Sequence, residues 1–291
     1  MDEQDWLASR FEEHRTHLRA VAYRMLGSLA EAEDAVQESW LRLNRNGAGD
    51  IANLGGWLTT VVGRVSLDML RSRKARREEP AGPHLPDPVV GAEPEDQAVL
   101  ADSVGLALLV VLDTLDPAER LAFVLHDMFA LPFDEIAPLV GRSTVATRQL
   151  ASRARRRVQG SATAPDTSLP RQREVVAAFF AAARDGDFDG LVAALAPDVV
   201  LRADAVGEVP VGASRVVHGA HAVASQALLF RRTGAGAVTG VPHQVVVNGA
   251  AGVLITHDDR PEVLFAFTVT EDHIAAIDII RDPDRLAGLL S

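Results

Sequence analysis

The sequence predicts two all-α domains followed by one α+β domain. Up to about residue 158, apolar residues recur with the period of amphipathic helices, whereas beyond residue 199 they form runs of strand length. Two stretches rich in Pro, Ser or Thr separate the three parts. We therefore predict two helical domains, two linkers and an α+β domain, with the boundaries 5–77, 78–98 (first linker), 99–158, 159–170 (second linker) and 171–291.

The composition is that of a globular protein. Hydrophobic residues make up 47% of the chain and charged residues 24%, and no apolar run approaches the length of a membrane span. The first residues, Met1 to Asp5, are acidic and unlike a signal peptide, so we expect a cytoplasmic protein without a membrane partner. The absence of Cys excludes disulfides and Cys-based zinc sites.

The net charge of −11 conceals a segregated distribution of charge. Residues 64–77 hold six basic residues and one acid, and residues 142–157 hold six Arg and no acid. Between these segments, residues 78–102 hold seven acids and no base. Because local charge decides nucleic-acid binding, the two basic segments are candidates for it despite the net charge.

Three helices are predicted in the first domain. Apolar residues over 18–26 define the first helix, which ends near Gly27. The second has Trp40 in its apolar sector and a mainly acidic exposed face, and the third runs from an apolar side over 58–69 into the basic cluster 71–77. Five Pro residues in the segment that follows predict an extended linker, which serves either as a spacer or as a docking segment.

The second domain ends in a predicted helix-turn-helix motif. An apolar helix over residues 99–115 precedes a capping box with Pro at the first helical position, at residues 116–119. Residues 131–158 then predict a short helix, a turn at Gly141 and a second helix that starts at Ser143, a preferred N-cap residue.

The second helix of this motif is a candidate for DNA binding. Thr147, Ala151, Ala154 and Val158 recur on one side as a buried stripe, and Arg side chains project from the other side. Guanidinium groups are forked donors that suit phosphates and the edges of guanines in a major groove. The alternative is that this Arg-rich face is only solvated.

Helices and then strands are predicted in the third domain. Helical patterns over 176–183 and 191–195 come first, and Asn248-Gly249 and Glu271-Asp272 are hairpin signals between later runs. Such an order predicts an α+β domain whose curved sheet wraps the first helix. The predicted strands are 199–201, 245–247, 253–256, 263–270 and 274–280.

Two long runs of residues resemble a known family. The first is YRMLGSLAEAEDAVQESWLR (residues 23–42), which resembles region 2 of the extracytoplasmic-function (ECF) sigma factors. The second is PAERLAFVLHD (residues 117–127) together with the helix-turn-helix, which resembles region 4 of the same family. The resemblance implies a dissociable subunit of bacterial RNA polymerase that directs promoter-specific initiation, with core RNA polymerase and promoter DNA as partners.

The resemblance also implies roles for individual residues. Binding to the polymerase falls to a polar and aromatic helix face, namely Asp34, Gln37, Glu38 and Trp40. Region 2 is expected to read the opened minus-ten element with Asn53, Arg64, Asp68, Arg71 and Arg73. Region 4 is expected to read the duplex minus-thirty-five element with Arg142, Ser143, Thr144, Arg148, Gln149, Ser152, Arg153 and Arg156. Thr147 departs from the aliphatic residue expected at its position.

The third domain resembles the SnoaL-like fold, a cone-shaped α+β barrel that is appended to one group of these sigma factors, the sigma-J-like group. The motifs of that group are matched in the linker by Leu85, Pro86, Asp87 and Pro88, after His84 where an aromatic is usual, and near the C-terminus by Asp282, Pro283, Asp284, Arg285 and Leu286. A Gly-rich acidic motif is degraded to residues 204–208. We hypothesise that the two intact motifs meet and regulate the sigma factor in cis, so that no separate anti-sigma factor is expected.

Two other functions compete with the sigma factor. The chain is alternatively a one-component helix-turn-helix regulator with a ligand-sensing C-terminal domain, or a cyclase-like enzyme fused to DNA-binding domains. The third domain contains five His, and a His with an Asp in a cone-shaped pocket is typical of acid–base catalysis. His218 and His221 have the spacing of a metal pair, but no carboxylate completes a ligand set. We therefore predict no enzyme activity, no catalytic residue, no metal and no cofactor.

Overall fold

The computed structural model describes residues 3–46, 51, 53–76, 85–91, 105–160, 165–204, 216–233 and 240–290. The chain divides into two compact units. The helical unit consists of residues 1–79 and 109–161, and the sheet unit of residues 80–108 and 162–291. Arg77, His84 and residues 205–208, which the sequence analysis singled out, lie outside the described residues, as do residues 50 and 52 of the loop before Asn53.

Three helices form the first part of the helical unit, as predicted. They are α1 (Glu3–Leu26), α2 (Leu29–Asn46) and α3 (Leu54–Arg76). Gly27 has a φ of +70°, a left-handed conformation that glycine adopts without strain, and it separates α1 from α2. The apolar faces of the three helices pack together and bury the side chains of Leu18, Val21, Met25, Val36, Leu43, Leu58 and Val62.

The second part of the helical unit contains the predicted helix-turn-helix. It consists of residues 109–113 of α4 (Leu106–Asp113), whose first three residues belong to the sheet unit, and of α5 (Pro117–Phe123), a π-helical turn (Val124–Met128), α6 (Phe133–Val140) and α7 (Thr144–Gln159). Gly141 makes the turn with a φ of +70°, and the Ser143 hydroxyl accepts a hydrogen bond from the Ala146 N–H at 3.3 Å, which confirms Ser143 as the N-cap of α7. The Thr147 hydroxyl is buried but donates to the Ser143 carbonyl at 3.0 Å.

The predicted capping box before α5 is wrong. The Asp116 side chain makes no capping hydrogen bond, and its Oδ1 instead accepts a hydrogen bond from Lys74 Nζ at 2.6 Å. Glu119 is turned towards α7, where Arg153 Nε donates to its Oε1 at 2.6 Å. Both carboxylates therefore form ion pairs with residues distant in sequence and do not cap the helix. A charged donor binds a carboxylate more strongly than a backbone amide does.

The two parts of the helical unit share a core. Arg120 is only 1% exposed, and it donates from Nη1 to Asp113 Oδ1 at 2.9 Å and from Nε to the Arg24 carbonyl at 3.2 Å. A Cβ added at Gly63 of α3 would lie 3.3 Å from Leu121 and 3.2 Å from Leu125. The absence of a side chain at Gly63 therefore allows α3 to approach α5 closely.

The sheet unit has the predicted α+β architecture. Its helices are α8 (Leu169–Asp185), α9 (Phe188–Ala194), α10 (Ala220–Thr233) and α11 (Pro283–Leu290). Its strands are β1 (Val90–Gly91), β2 (Leu195–Asp204), β3 (Val216–His218), β4 (Val241–Val247), β5 (Ala250–His257), β6 (Arg260–Thr270) and β7 (His273–Ile280). The sheet order is β1-β4-β5-β6-β7-β2-β3, in which only β2 and β7 pair in parallel. The sequence pattern did not predict α10, α11, β1 or β3.

Aromatic side chains fill the space between the helices and the sheet. Phe179 and Phe180 of α8 make edge contacts with Phe267 and Phe265 of β6, with ring centroids 6.3 and 5.5 Å apart respectively. Both predicted hairpins form, with positive φ values at Asn248, Gly249, Glu271 and Asp272. None of the described helices is long and apolar enough to cross a membrane.

Candidate polymerase-binding, DNA-binding and linker-binding sites

The exposed stripe of α7 is the candidate surface for the minus-thirty-five element. Arg148, Gln149, Ser152 and Arg156 follow one another at helical spacing and are all exposed, and Val145 begins the same stripe. The opposite side of α7 is buried through Thr147, Ala151 and Ala154. The Arg148 guanidinium lies over the Phe133 ring, 5.7 Å from its centroid, so a residue of α6 helps to orient it. Arg142 and Ser143 are exposed and Thr144 is half-buried beside this stripe.

Three of the six Arg residues in the segment 142–157 donate hydrogen bonds to carboxylates of the helical unit. Arg153 and Arg157 both donate to the buried carboxylate of Glu119, from Nε at 2.6 Å and from Nη1 at 3.3 Å. Arg155 Nε donates to Asp127 Oδ1 at 2.9 Å. Arg153 was predicted to contact DNA, and that role stays a prediction, but the structure gives its guanidinium a second function in neutralising Glu119.

A smaller exposed face lies on α3. Arg64, Asp68 and Arg71 follow one another at helical spacing and are exposed, and the Arg71 Nη1 lies 3.8 Å from the Asp68 Oδ1. Asn53 precedes this helix, where its Oδ1 accepts a hydrogen bond from the Gly56 N–H at 3.0 Å and so caps the helix.

Arg73 does not join this face. Its Nε donates to Glu31 Oε1 of α2 at 3.0 Å, and its Nη1 lies 3.4 Å from the Leu26 carbonyl. Arg73 was predicted to help read the minus-ten element, and that role stays a prediction, but its guanidinium also joins α3 to α2 through Glu31. A carboxylate on a neighbouring helix is not visible in the local sequence, so this contact was not predicted.

The face of α2 carries the four residues expected to bind the polymerase. Asp34 and Gln37 are exposed, Glu38 accepts a hydrogen bond from Arg42 Nε at 2.9 Å, and Trp40 is half-buried with its ring 5.2 Å from that of Phe11. A groove of about 250 Å³ runs between α1 and α2. Its lining includes Phe11, Glu33, Val36, Gln37 and Trp40. The groove combines an apolar floor with charged rims, as expected of a site for a protein partner.

Within the sheet unit, the linker motif and the C-terminal motif meet. Arg285 of α11 donates to Asp87 Oδ1 from Nε at 3.1 Å and from Nη2 at 2.9 Å, and it also donates to the Leu85 carbonyl. Leu85, Pro86 and Pro88 are buried. Asp282 caps α11 by accepting hydrogen bonds from the N–H groups of Asp284 and Arg285, and Leu286 is buried beneath it.

A second carboxylate completes the contacts of Arg285, and its role was not predicted from the sequence. Asp204 at the end of β2 binds the Arg285 Nη1, and its Oδ1 accepts a hydrogen bond from the Arg281 N–H at 3.2 Å. Burial raises the pKa of Asp204 to about 6, although the Arg285 charge acts in the opposite direction. We call Leu85, Asp87, Asp204 and Arg285 the linker clasp. The only signal in the sequence was the degraded motif that begins at Asp204.

A second buried ion pair lies beside the linker clasp. Arg202 Nη1 donates to Asp278 Oδ1 at 2.6 Å across the parallel pair β2 and β7. Burial raises the pKa of Asp278, and the Arg202 charge opposes the shift. Removal of Arg202 would leave the buried Asp278 carboxylate without this partner, which is energetically costly. The pair therefore stabilises the observed register of β2 and β7, in which Arg202 lies opposite Asp278.

The linker also adds a strand to the sheet. Val90 and Gly91 pair antiparallel with Val247 and Val246 of β4. Before them, the Val89 N–H donates to Asn248 Oδ1 at 3.0 Å and the Val89 carbonyl accepts from the Asn248 N–H at 2.9 Å. Asn248 was predicted only as a turn residue, and a two-residue strand is too short to leave a pattern in the sequence.

The five His residues of the third domain do not converge on a site. His218, His221, His243, His257 and His273 are all exposed. Among the described residues, no group of three or more His, Cys, Asp or Glu is placed to hold a metal ion.

Comparison with known proteins identifies the family. The sequence-family model of Sigma-70 region 2 matches residues 10–76, and the sequence-family model of Sigma-70 region 4 matches residues 105–158. The chain is 41% identical to the ECF RNA polymerase sigma factor SigJ of Mycobacterium tuberculosis, over 96% of this chain and 93% of that protein. The chain is an ECF sigma factor.

Two further similarities fit this assignment. The crystal structure of SigJ from Mycobacterium tuberculosis superposes on this sigma factor with a TM-score of 0.76 and 38% identity, over 97% of this chain and 98% of that chain. A probable ECF sigma factor, SigI of the same species, is 42% identical over 74% of this chain and 76% of that protein. The sigma factor therefore directs promoter-specific initiation by RNA polymerase, and it is not an enzyme. The one-component regulator and the cyclase-like enzyme are excluded.

Proposed function

We propose that this sigma factor reads the minus-ten element with α3 and the minus-thirty-five element with α7, while the polar face of α2 binds core RNA polymerase. We propose further that the sheet unit regulates it in cis by holding the linker between α3 and α4. The observation that carries this proposal is the linker clasp together with the strand pairing of Val90 and Gly91.

The helical unit must open before both promoter elements are read at once. The names of the two elements place them roughly 25 base pairs apart, which corresponds to about 85 Å at 3.4 Å per base pair. The longest of the described helices, α1, has 24 residues and spans about 36 Å at 1.5 Å per residue. A unit in which α3 packs directly against α5 is too small to present two DNA-reading helices at that separation. The contacts of Gly63 and Arg120 are therefore contacts of a closed form.

The linker clasp restrains this opening. The connection from Arg76 at the end of α3 to Leu106 at the start of α4 includes residues 85–91, which are bonded to the sheet unit. Seven residues in extended conformation span roughly 23 Å, at about 3.3 Å each. While residues 85–91 stay bonded to the sheet unit, these roughly 23 Å of chain are not available to connect the two parts of the helical unit as they separate. Release of the linker is thus a step towards the active form.

An intramolecular regulator makes a separate anti-sigma factor unnecessary. The sheet unit is part of the same chain as the linker, so its effective concentration is high and a small contact suffices. The high effective concentration of the sheet unit supports the expectation that no separate anti-sigma factor is required. A polymerase subunit of this kind acts where the polymerase and the chromosome are, which supports the cytoplasmic location expected from the sequence.

Reconstituted transcription tests the proposal. Core RNA polymerase is combined with the full chain, with Arg285→Ala, or with the control Arg260→Ala, which removes an exposed Arg of β6 in the same unit. Transcripts are measured from a cognate promoter and from a promoter with a scrambled minus-thirty-five element. We expect Arg285→Ala to give more cognate transcript at limiting sigma factor, with Arg260→Ala like the wild type. An unchanged or lower yield with Arg285→Ala would contradict regulation through the linker.

A further inference from the structure

The exposed stripe of α7 contains one apolar side chain. Val145 is 63% exposed and is the most exposed of the large hydrophobic residues in the described part of the chain; the next, Val241 of the sheet unit, is 60% exposed. Arg148 and Gln149 lie one turn further along the same side of α7. Val145 is therefore surrounded by residues that the sequence assigns to DNA, but it was not among them.

Val145 is not among the residues through which α7 packs on the described part of the helical unit. The side of α7 that packs against the rest of the unit is formed by Thr147, Ala151 and Ala154. Valine also has a lower helix propensity than alanine, because its branched side chain loses rotamer freedom. Neither packing nor helix formation explains a valine at this position.

The position of Val145 favours contact with bases. It is the second residue of α7, directly after Thr144 and the N-cap Ser143. In helix-turn-helix proteins, the N-terminal residues of the second helix contact base edges in the major groove, whereas phosphates are contacted along the flanks. Side chains at this end of α7 therefore face the bases when the helix enters the groove.

The chemistry of valine limits what it contacts there. Its isopropyl group forms no hydrogen bond, and the apolar group that base pairs present in the major groove is the C5-methyl group of thymine. We propose that Val145 is a specificity-determining residue that packs on the 5-methyl group of a thymine in the minus-thirty-five element. The inference rests on the proposed function of α7 and adds an apolar contact to its polar ones.

The geometry of its neighbours supports a fixed contact. Arg148, one turn away, is held over the Phe133 ring at 5.7 Å. The stiff χ1 torsion of a helical valine holds its two methyl groups in one orientation, so little rotamer freedom is lost on binding. A rigid apolar group beside an oriented guanidinium discriminates among bases better than a flexible side chain would.

Removal of single methyl groups tests the inference. The minus-thirty-five element is first determined by transcription from promoters randomised in that region, with core polymerase and the full chain. Each thymine of the selected element is then replaced by deoxyuridine, which lacks only the 5-methyl group. Initiation is measured with the wild type, Val145→Ala and the control Val241→Ala, which shortens a similarly exposed valine in the sheet unit.

We expect one position at which deoxyuridine lowers wild-type initiation about fourfold, the factor for burying one methyl-sized group. Val145→Ala should initiate equally from thymine and deoxyuridine there, whereas Val241→Ala should behave like the wild type. If Val145→Ala keeps the full thymine preference at every position, or if the selected element has no thymine, the inference is wrong. A selection that yields no sequence preference in the minus-thirty-five region would overturn the proposed role of α7 as well. Failure of the Val145 inference alone is thus distinguishable from failure of the proposed function.

Discussion

Arg285 binds Asp87 across 198 positions of the chain, through two hydrogen bonds from one guanidinium to one carboxylate oxygen. Both side chains are mostly buried, with 16% of Arg285 and 20% of Asp87 exposed. Hydrogen bonds between charged groups at low exposure are stronger than neutral ones. The linker between the two DNA-binding parts is thus tied to a helix near the C-terminal end of the sheet unit.

Loss of the Arg285 guanidinium should free the linker. In Arg285→Ala, amide hydrogens of residues 85–91, including the Val89 N–H that is bonded to Asn248, should exchange at least about tenfold faster, because charged hydrogen bonds contribute about 1.5–3 kcal/mol. Hydrogen exchange with mass spectrometry measures this change. Arg260→Ala should leave the exchange unchanged. Full protection of the linker in Arg285→Ala would show that the strand pairing alone holds it.

The contribution of Asp204 to the stability of the sheet unit should grow as the pH falls from about 6 towards 4. Burial raises the pKa of Asp204 to about 6, above its ordinary value of 3.8, so the folded state binds this proton more tightly than the unfolded state. Its contribution to stability therefore grows as the pH falls from about 6 and is lost as the pH rises through that value. Asp278, whose pKa is also raised by burial, contributes in the same direction.

The variant Asp204→Asn isolates this effect. Its sheet unit should gain less stability between pH 7.5 and 5 than that of the wild type, by a few degrees of melting temperature. Calorimetry suits the measurement, because all three Trp residues (Trp6, Trp40 and Trp57) belong to the helical unit and do not report on the sheet. Equal pH dependence in the two proteins would show that Asp204 does not titrate in this range.

A side chain at Gly63 should open the helical unit. In Gly63→Leu, the new side chain has to enter a space where a Cβ alone lies 3.2–3.3 Å from Leu121 and Leu125. Overpacking of this kind destabilises a contact by about 1–3 kcal/mol, which raises the population of the open form. We expect tighter binding to core polymerase at unchanged helix content, measured by fluorescence anisotropy and circular dichroism. Unchanged affinity, with hydrogen exchange showing that the contact is lost, would mean that the closed form does not compete with the polymerase.

Charge reversal on α2 should weaken polymerase binding. Asp34 and Gln37 are exposed, so Asp34→Arg combined with Gln37→Ala should leave the fold intact and reduce affinity for core polymerase about tenfold or more. The control is Asp185→Arg, at an exposed acid at the end of α8. Binding is measured by competition with the wild-type chain for core polymerase. Wild-type affinity in the double variant would remove α2 from the proposed interface.

The sequence predicted those features that depend on neighbouring residues. The periodicity of α1, α2 and α3, the turn at Gly141 and the cap at Ser143 all follow from local spacing and backbone preference. The meeting of the linker and C-terminal motifs was a hypothesis from the family resemblance, and the contact of Arg285 with Asp87 and Leu85 shows that the motifs touch. Their regulatory role stays a prediction.

The features that were missed depend on residues far apart in sequence. The carboxylates of Asp116 and Glu119 left the helix terminus for Lys74 and Arg153, and Arg73 turned to Glu31. Local pattern does not reveal such partners. The exposure of Val145 was not predicted for another reason, because an apolar residue on a helix is assigned to the buried side until its exposure is known.

The separation of the two parts of the helical unit tests the central claim most directly. The chain has no Cys, so Glu13→Cys on α1 and Gln159→Cys at the end of α7 provide two unique sites for spin labels, both on exposed residues. The distance between the labels is measured in the free chain and with core polymerase and promoter DNA, with and without Arg285→Ala. We predict a distance that increases by tens of ångströms in the complex, and an increase at lower polymerase concentration in Arg285→Ala. An unchanged distance in a transcribing complex, or identical titrations of the two proteins, would contradict the account.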